Sequence, residues 1–267
     1  MNIYYFTGTG NSIAICRELR KHFEDAELRS IASFAGRTEI GDESDVVGFV
    51  VPTYYMDIPE IVGDFVSRLR LRPDAYIFAA IHYGLTYGRA FHSLNRILEA
   101  GGMKLSLGWG ITVPDNSIVF KTALAKQPAM HLGMTETVSE FAAAVSDRRS
   151  VPLPGRNSAI QGLNSRMGAF MFRKVIGVDR KRVTDACTHC GLCSEVCPVN
   201  NVTVSEDSVV FGDNCAECFA CIHWCPQRAV RFGFLKLTDK SQYTNPVVSA
   251  ADVISQKDAL SGIHGTS

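Results

Sequence analysis

Eight of the nine cysteines in this chain fall between residues 187 and 225, in two runs of the form C-x2-C-x2-C-x3-C-P. The stretch "DACTHCGLCSEVCPVNNVTV" (185–204) repeats as "DNCAECFACIHWCPQRAVRF" (213–232), at an offset of 28 positions. Three thiolates spaced by three residues wrap one face of a [4Fe–4S] cube, and a fourth held before proline reaches the other cluster. The crossing assigns Cys187, Cys190, Cys193 and Cys225 to one cluster and Cys197, Cys215, Cys218 and Cys221 to a second. Zinc is the competing chemistry, but its sites pair C-x2-C knuckles across a longer gap, and a three-thiolate run ending in C-P has no tetrahedral rationale. His189 and His223 are expected at the surface, and Trp224 against a cluster's edge. Cys16, the ninth, stands on the apolar face of a predicted helix and is expected to be a core thiol.

The other chemistry-bearing stretch is "FTGTGNS" (6–12), which joins an apolar run to a helical pattern. Thr7, Gly8, Thr9, Gly10, Asn11 and Ser12 make a loop suited to phosphate. A dinucleotide fingerprint requires a third glycine where Ile13 stands, and a P-loop requires a lysine, absent until Lys21. Backbone N–H groups, hydroxyls and a helix N-terminus can surround a phosphate monoester without a cationic side chain. Of the three candidates, that suits flavin mononucleotide (FMN).

The elements that must position these residues alternate over the first 150 positions. Residues 2–6, "DVVGFVVP" (45–52), "AYIFAAIH" (75–82) and 103–113 read as strands, and 11–23, 58–70, 86–100 and 130–147 as helices. The continuous apolar runs predict strands covered on both faces, hence a parallel sheet. The alternation, with the first strand used at once, favours a flavodoxin-like doubly wound α/β order of five strands. "VPLPGRNS" (151–158) breaks the pattern. The domains expected are 1–150, a basic helical linker over 151–183, a small α+β cysteine module over 184–234, and an extension over 235–267. Within the linker, Ile160, Leu163, Met167, Phe170 and Lys174 fall at helical steps, and their apolar face is expected between the domains. Arg156, Arg166, Arg173, Lys174, Arg180, Lys181 and Arg182 stand there against Asp179 alone, whereas the cysteine module has six acidic residues against two basic. This suggests docking of the helix onto that module or onto an acidic partner, with a solvated basic face as the alternative reading.

Hydrophobic residues make up 46% and charged residues 20% of the 267, with zero formal net charge, so a globular chain is expected and nucleic-acid binding is not. The opening "NIYYF" has no leader pattern, and the longest apolar runs are strand-length. A cytoplasmic location is expected, and membrane association is not.

The cysteine repeat resembles the two-cluster bacterial-type ferredoxins, matching all eight ligand positions, and "TGTGNS" resembles the phosphate loop of flavodoxins. The whole order resembles the flavodoxin–ferredoxin fusions of the EFR type, found in anaerobic bacteria and archaea. The resemblance implies that "PTYYMDIP" (52–59) and "HYGLTYGRA" (82–90) hold the flavin ring. Pro52, Thr53, Tyr54, Tyr55, His82, Tyr83, Gly84, Tyr87 and Gly88 are then candidates, with the tyrosines for stacking. "VPDNSI" (113–118) also looks like that family, though Ser117 stands where an aromatic is expected, and "QYTNPVVSAADVISQ" (242–256) looks like its C-terminal extension. Ser249 and Asp252 there are placed to start a short helix on a docked tail.

The cofactors expected are two [4Fe–4S] clusters and FMN, with electrons passing between them and an unidentified redox protein. Two other readings stay open: an FMN-dependent reductase of a small acceptor, with His82, Tyr83 or Tyr87 over the ring, and a redox sensor whose flavodoxin-like domain is empty. No catalytic residue is assigned. Because no nicotinamide site is visible, NADH alone is expected not to reduce the protein. Anaerobic absorbance spectra after NADH addition check this, and rapid bleaching would contradict it.

Overall fold

A computed structural model describes residues 1–118, 120–155, 159–178, 180–234 and 242–258. Arg156, Asp179 and the remainder of the extension lie outside the described residues, as does the Ile160 side chain. The first part runs β1 (Asn2–Tyr5), α1 (Asn11–Arg20), β2 (Glu27–Ser30), β3 (Ile40–Asp42), β4 (Val46–Pro52), α2 (Glu60–Arg68), β5 (Leu69–Leu71), β6 (Tyr76–Tyr83), α3 (Ala90–Ala100), β7 (Leu107–Thr112) and α4 (Gln127–Ser146). Five strands form one parallel sheet in the order β2-β1-β4-β6-β7. With the small parallel pair β3–β5 set aside, this is the flavodoxin-like order, whose switch point lies beside β1. The central strands are apolar on both faces because both are covered: Val47, Phe49, Val50, Ile77, Phe78 and Ile81 are all buried.

Two local departures from the sequence reading have a common cause. The apolar rhythm of 58–70 continues through Leu69, but α2 ends at Arg68, and Leu69–Leu71 turns into a strand paired with Ile40–Asp42. That pair is pinned to β1 by a buried polar knot, in which Asn2 Nδ2 donates to both Asp42 carboxylate oxygens (2.9 and 2.8 Å) and Tyr4 OH donates at 2.7 Å. Burial opposes the charged carboxylate, yet these bonds and those from Ser44 hold Asp42 below its ordinary range.

The C-terminal module comprises β8 (Lys181–Val183), α6 (Leu192–Glu195), β9 (Val202–Val204), β10 (Val209–Phe211), α7 (Ala220–His223) and β11 (Val230–Phe232), counted after the linker helix α5 (Ala159–Phe170). β8 pairs with β11 and β9 with β10, both antiparallel. The 28-residue repeat is carried by the backbone itself. Positive φ recurs at His189 and Glu217, Gly191 and Phe219, and Asn200 and Arg228, so both halves turn at the same points whether or not glycine stands there. The linker is therefore not helical to its end, because Lys181–Val183 hydrogen-bonds as a strand of the cysteine module.

The linker also faces the other way from expectation. Gly162 and Ser165 are buried, while Leu163, Met167 and Phe170 are exposed, as are Met171 and Val175 in the π-helical turn that follows. Gly162 lies against the Arg89 guanidinium, so the small-residue face of α5 makes the close approach and the large apolar side chains are left outside. The tail ends in α8 (Ala250–Ile254), opened by a full Ser249–Asp252 capping box. It is docked through buried Val253 and an Arg17–Asp252 ion pair at 2.5 Å. Among the described residues no helix is long and apolar enough to cross a membrane.

Phe65 of α2 is fully buried, with its ring 4.8 Å from that of Tyr4 and 5.4 Å from that of Phe34. Phe65→Ala is expected to cost about 3–5 kcal/mol through lost transfer energy and a cavity, measured by chemical denaturation.

Candidate functional site

The loops after β1, β4, β6 and β7 gather at the carboxyl edge of the sheet, and the cysteine module closes over them. Between the two lies a cavity of about 290 Å³. From the sheet side it is lined by Asn11, Pro52, Thr53, Tyr54, Tyr55, His82, Tyr83 and Gly84, eight of the residues singled out in the sequence. Opposite stand Gly168 and Phe172 of the linker and Glu217, Cys218 and Phe219 of the cysteine module. Tyr87 and Gly88 do not reach it. The Tyr87 ring packs edge-on against Tyr83 and Phe91 at 5.2 and 5.3 Å, and Gly88 lies against the Met56 carbonyl. Asn116, Ser117 and Phe120 join the lining; only the partners of a distant loop place them there.

The "TGTGNS" loop is buried beneath the cysteine module and the tail. Thr7, Gly8, Thr9, Gly10 and Ser12 do not line the cavity, and Asn11 alone does. Trp224 Nε1 donates to the Gly8 carbonyl at 3.0 Å, and a side chain at Gly8 would collide with the Cys218 carbonyl oxygen. Gly10 takes φ +97°, a left-handed conformation suited to glycine, and packs against Val248. Asn11 is committed to the tail: its Oδ1 accepts from Tyr243 OH (2.6 Å) and from Asn245 Nδ2 (3.0 Å). Ser12 Oγ is turned inward, donating to the Phe6 carbonyl at 2.5 Å beside His82 Nε2 at 2.7 Å. Thr7 Oγ1 accepts from Gly10 N and Thr9 Oγ1 from Asn116 Nδ2. The backbone N–H groups of Gly8, Thr9, Asn11 and Ser12 have no hydrogen-bond partner among the described residues.

The cysteines meet in two separate quartets. Cys187, Cys190, Cys193 and Cys225 line one small cavity, and Cys197, Cys215, Cys218 and Cys221 line another, so the fourth cysteine of each run crosses to the other half. Backbone N–H groups point at the sulfurs in matching places, from Asn201 to Cys197 (3.2 Å) and from Ala229 to Cys225 (3.3 Å). Among the described residues no three His, Cys, Asp or Glu side chains converge as the ligands of a single ion would, and each quartet instead surrounds a void. Cys16 is apart from both, fully buried in the α/β core, with its thiol pushed far above the ordinary range by burial.

Residues 180–226 match the family model of the 4Fe–4S dicluster domain. Over 52 residues the chain is 35% identical to Ferredoxin-2 of Chlorobaculum tepidum, an alignment covering 17% of this chain and 84% of that ferredoxin. This chain belongs to the dicluster ferredoxin family through that module. With the β2-β1-β4-β6-β7 sheet ahead of it, the chain is a flavodoxin-like domain fused to a ferredoxin. Among solved structures it is similar to two-electron reduced Megasphaera elsdenii flavodoxin, with 16% identity over 52% of this chain and 98% of that one, and a TM-score of 0.34. A further similarity is to an FMN-dependent NADH-azoreductase of Bacillus anthracis in complex with FMN, with 8% identity over 54% and 97% and a TM-score of 0.38.

Two histidines sit at the seam between the flavodoxin-like domain and the ferredoxin module. His223, expected at the surface, is buried: its Nε2 pairs with the Asn116 carbonyl at 2.9 Å and its Nδ1 accepts from Tyr243 N at 3.1 Å. Since Nδ1 accepts, Nε2 carries the proton and the ring is neutral. Burial pushes His82 down from 6.5 to about 3 and His223 to about 4. Below pH 6.5 the unfolded chain takes up protons that these rings in the folded chain refuse, so stability is lost as pH falls towards those values. Unfolding free energy is expected to drop between pH 6 and 5 by about 1.4 kcal/mol per unit for each histidine, and His223→Gln is expected to reduce the slope, both measured by denaturant titration.

Proposed function

We propose that this protein carries electrons between two [4Fe–4S] clusters in its ferredoxin module and an FMN held in the cavity at the sheet edge. The observation that supports this best is the cavity itself, which has Tyr54, Tyr55 and Tyr83 on one side and the cluster ligand Cys218 on the other. The residues fit a flavin. The chamber is mostly apolar and aromatic and meets the phosphate loop at Asn11, and beside it four buried N–H groups at the α1 end have no partner among the described residues, as a phosphate site requires. Of the side chains foreseen for the phosphate, Thr7 and Thr9 keep their hydroxyl protons for it, while Asn11 and Ser12 support the loop from behind. FMN supplies the exchange of one or two electrons.

The chain's own residues set distance and access. Cys190 is exposed, whereas Cys197, Cys218 and Cys221 are buried, and Cys218 packs against Gly8 of the flavodoxin-like domain. The outer quartet therefore faces a redox partner, and the inner one faces the cavity. Fusion holds donor and acceptor at a high effective concentration. Arg173 joins the linker to both domains through Glu217 (2.6 Å) and Glu60 (2.7 Å). The exposed apolar side chains of α5 lie beside this seam and favour a protein partner there. A second reading, reduction of a small acceptor at the flavin, is favoured by exposed Leu85 and Phe120 at the cavity's rim.

Anaerobically purified protein is expected to release about one FMN per chain on acid treatment and to contain about eight irons. Eight irons with no flavin, and no uptake of added FMN, would overturn the flavin half of the proposal.

A further inference from the structure

The internal repeat provides a comparison inside one molecule. At the offset of 28, the two quartets are lined by equivalent positions: Val183 and Phe211, Gly191 and Phe219, Leu192 and Ala220. β8 and β10 are equivalent as well, since Lys181 pairs with Phe232 as Val209 pairs with Val204. At one such position the symmetry of charge is broken. Val209 lines the outer quartet, and its counterpart over the inner quartet is Lys181. Lys181 Nζ donates to Cys215 Sγ at 2.9 Å and to the Val178 carbonyl at 2.7 Å, and lies 5.8 Å from the centre of the Phe219 ring. Among the described residues no cationic side chain bonds to a cysteine of the outer quartet.

We propose that Lys181 makes the two cluster sites unequal, raising the reduction potential of the inner cluster so that electrons collect beside the cavity. The inference rests on the two-cluster reading above. Reduction adds one negative charge to a cluster, and an ammonium bonded to a ligand sulfur stabilises that state more than the oxidised one. Burial alone sets the opposite order. The inner quartet is the more desolvated, which penalises the added charge and makes its cluster the harder to reduce. A fixed cation is what reverses that order. Glu217, which stands between Cys215 and Cys218 in the chain, is paired with Arg173 and does not cancel it.

The test is a potentiometric titration of anaerobic full-length protein, followed by electron paramagnetic resonance, for wild type, Lys181→Val and Lys181→Arg, with iron counted on each. Lys181→Val gives the inner site the residue of the outer one. One of its two potentials is expected to fall while the other stays, and Lys181→Arg is expected to keep both near wild type. Two intact clusters with neither potential moved, or both moved alike, would overturn the inference and leave the two-cluster reading standing. A wild type holding one cluster would overturn that reading itself. If Lys181→Val loses its inner cluster, electron spin echo measurements on reduced wild type labelled with nitrogen-15 lysine decide. A nitrogen coupling to one cluster is expected, and its absence would overturn the proposal.

Discussion

The carbonyl of Cys218 lies against the α-carbon of Gly8, and the arrangement of the two domains depends on that approach. It brings Cys218 onto the loop that opens α1, and it lets the Trp224 indole reach the Gly8 carbonyl. A β-carbon at position 8 would push the cysteine module away from the sheet edge. Gly8 has no positive φ and is required for closeness, whereas Gly10, two residues on, is required for its backbone conformation. One motif thus contains glycines with two separate physical reasons.

The seam around this contact is polar and buried, which makes it specific. Asn11, Thr9, Asn116, His223, Tyr243 and Asn245 bond to one another across four segments of chain. Each bond contributes only about 0.5–1.5 kcal/mol net, but leaving a buried partner unsatisfied costs about 1–3 kcal/mol, so a displaced arrangement is penalised several times over. The tail belongs to this network, strapped over the loop by Asn245 N on the Thr9 carbonyl and anchored by Arg17 on Asp252. This network fixes the cysteine module on the sheet edge and so sets the two walls of the cavity.

Most of what was legible in the sequence was encoded by local spacing. The cysteine runs, the strands at 45–52 and 75–82, and the Ser249–Asp252 cap each express a rule satisfied within a few residues. β2, "ELRS", has no apolar run and became a strand only because β1 lies open beside it. The orientation of α5 was likewise illegible. Its large apolar residues follow a helical rhythm, yet contact with Arg89 requires the small face inward.

By itself the sequence determined which cysteines group together, that a sheet of flavodoxin-like order precedes them, and that "TGTGNS" joins a strand to a helix. Those facts follow from thiolate spacing, apolar periodicity and backbone freedom, which are properties of neighbouring residues. Only the tertiary structure decided that Asn11 holds the tail, that His223 is buried and neutral, that Tyr87 supports Tyr83 from behind, and that Lys181 stands over one quartet where Val209 stands over the other. Each of these depends on a partner far away along the chain, and the packing of two domains against one loop is what brings those partners within reach.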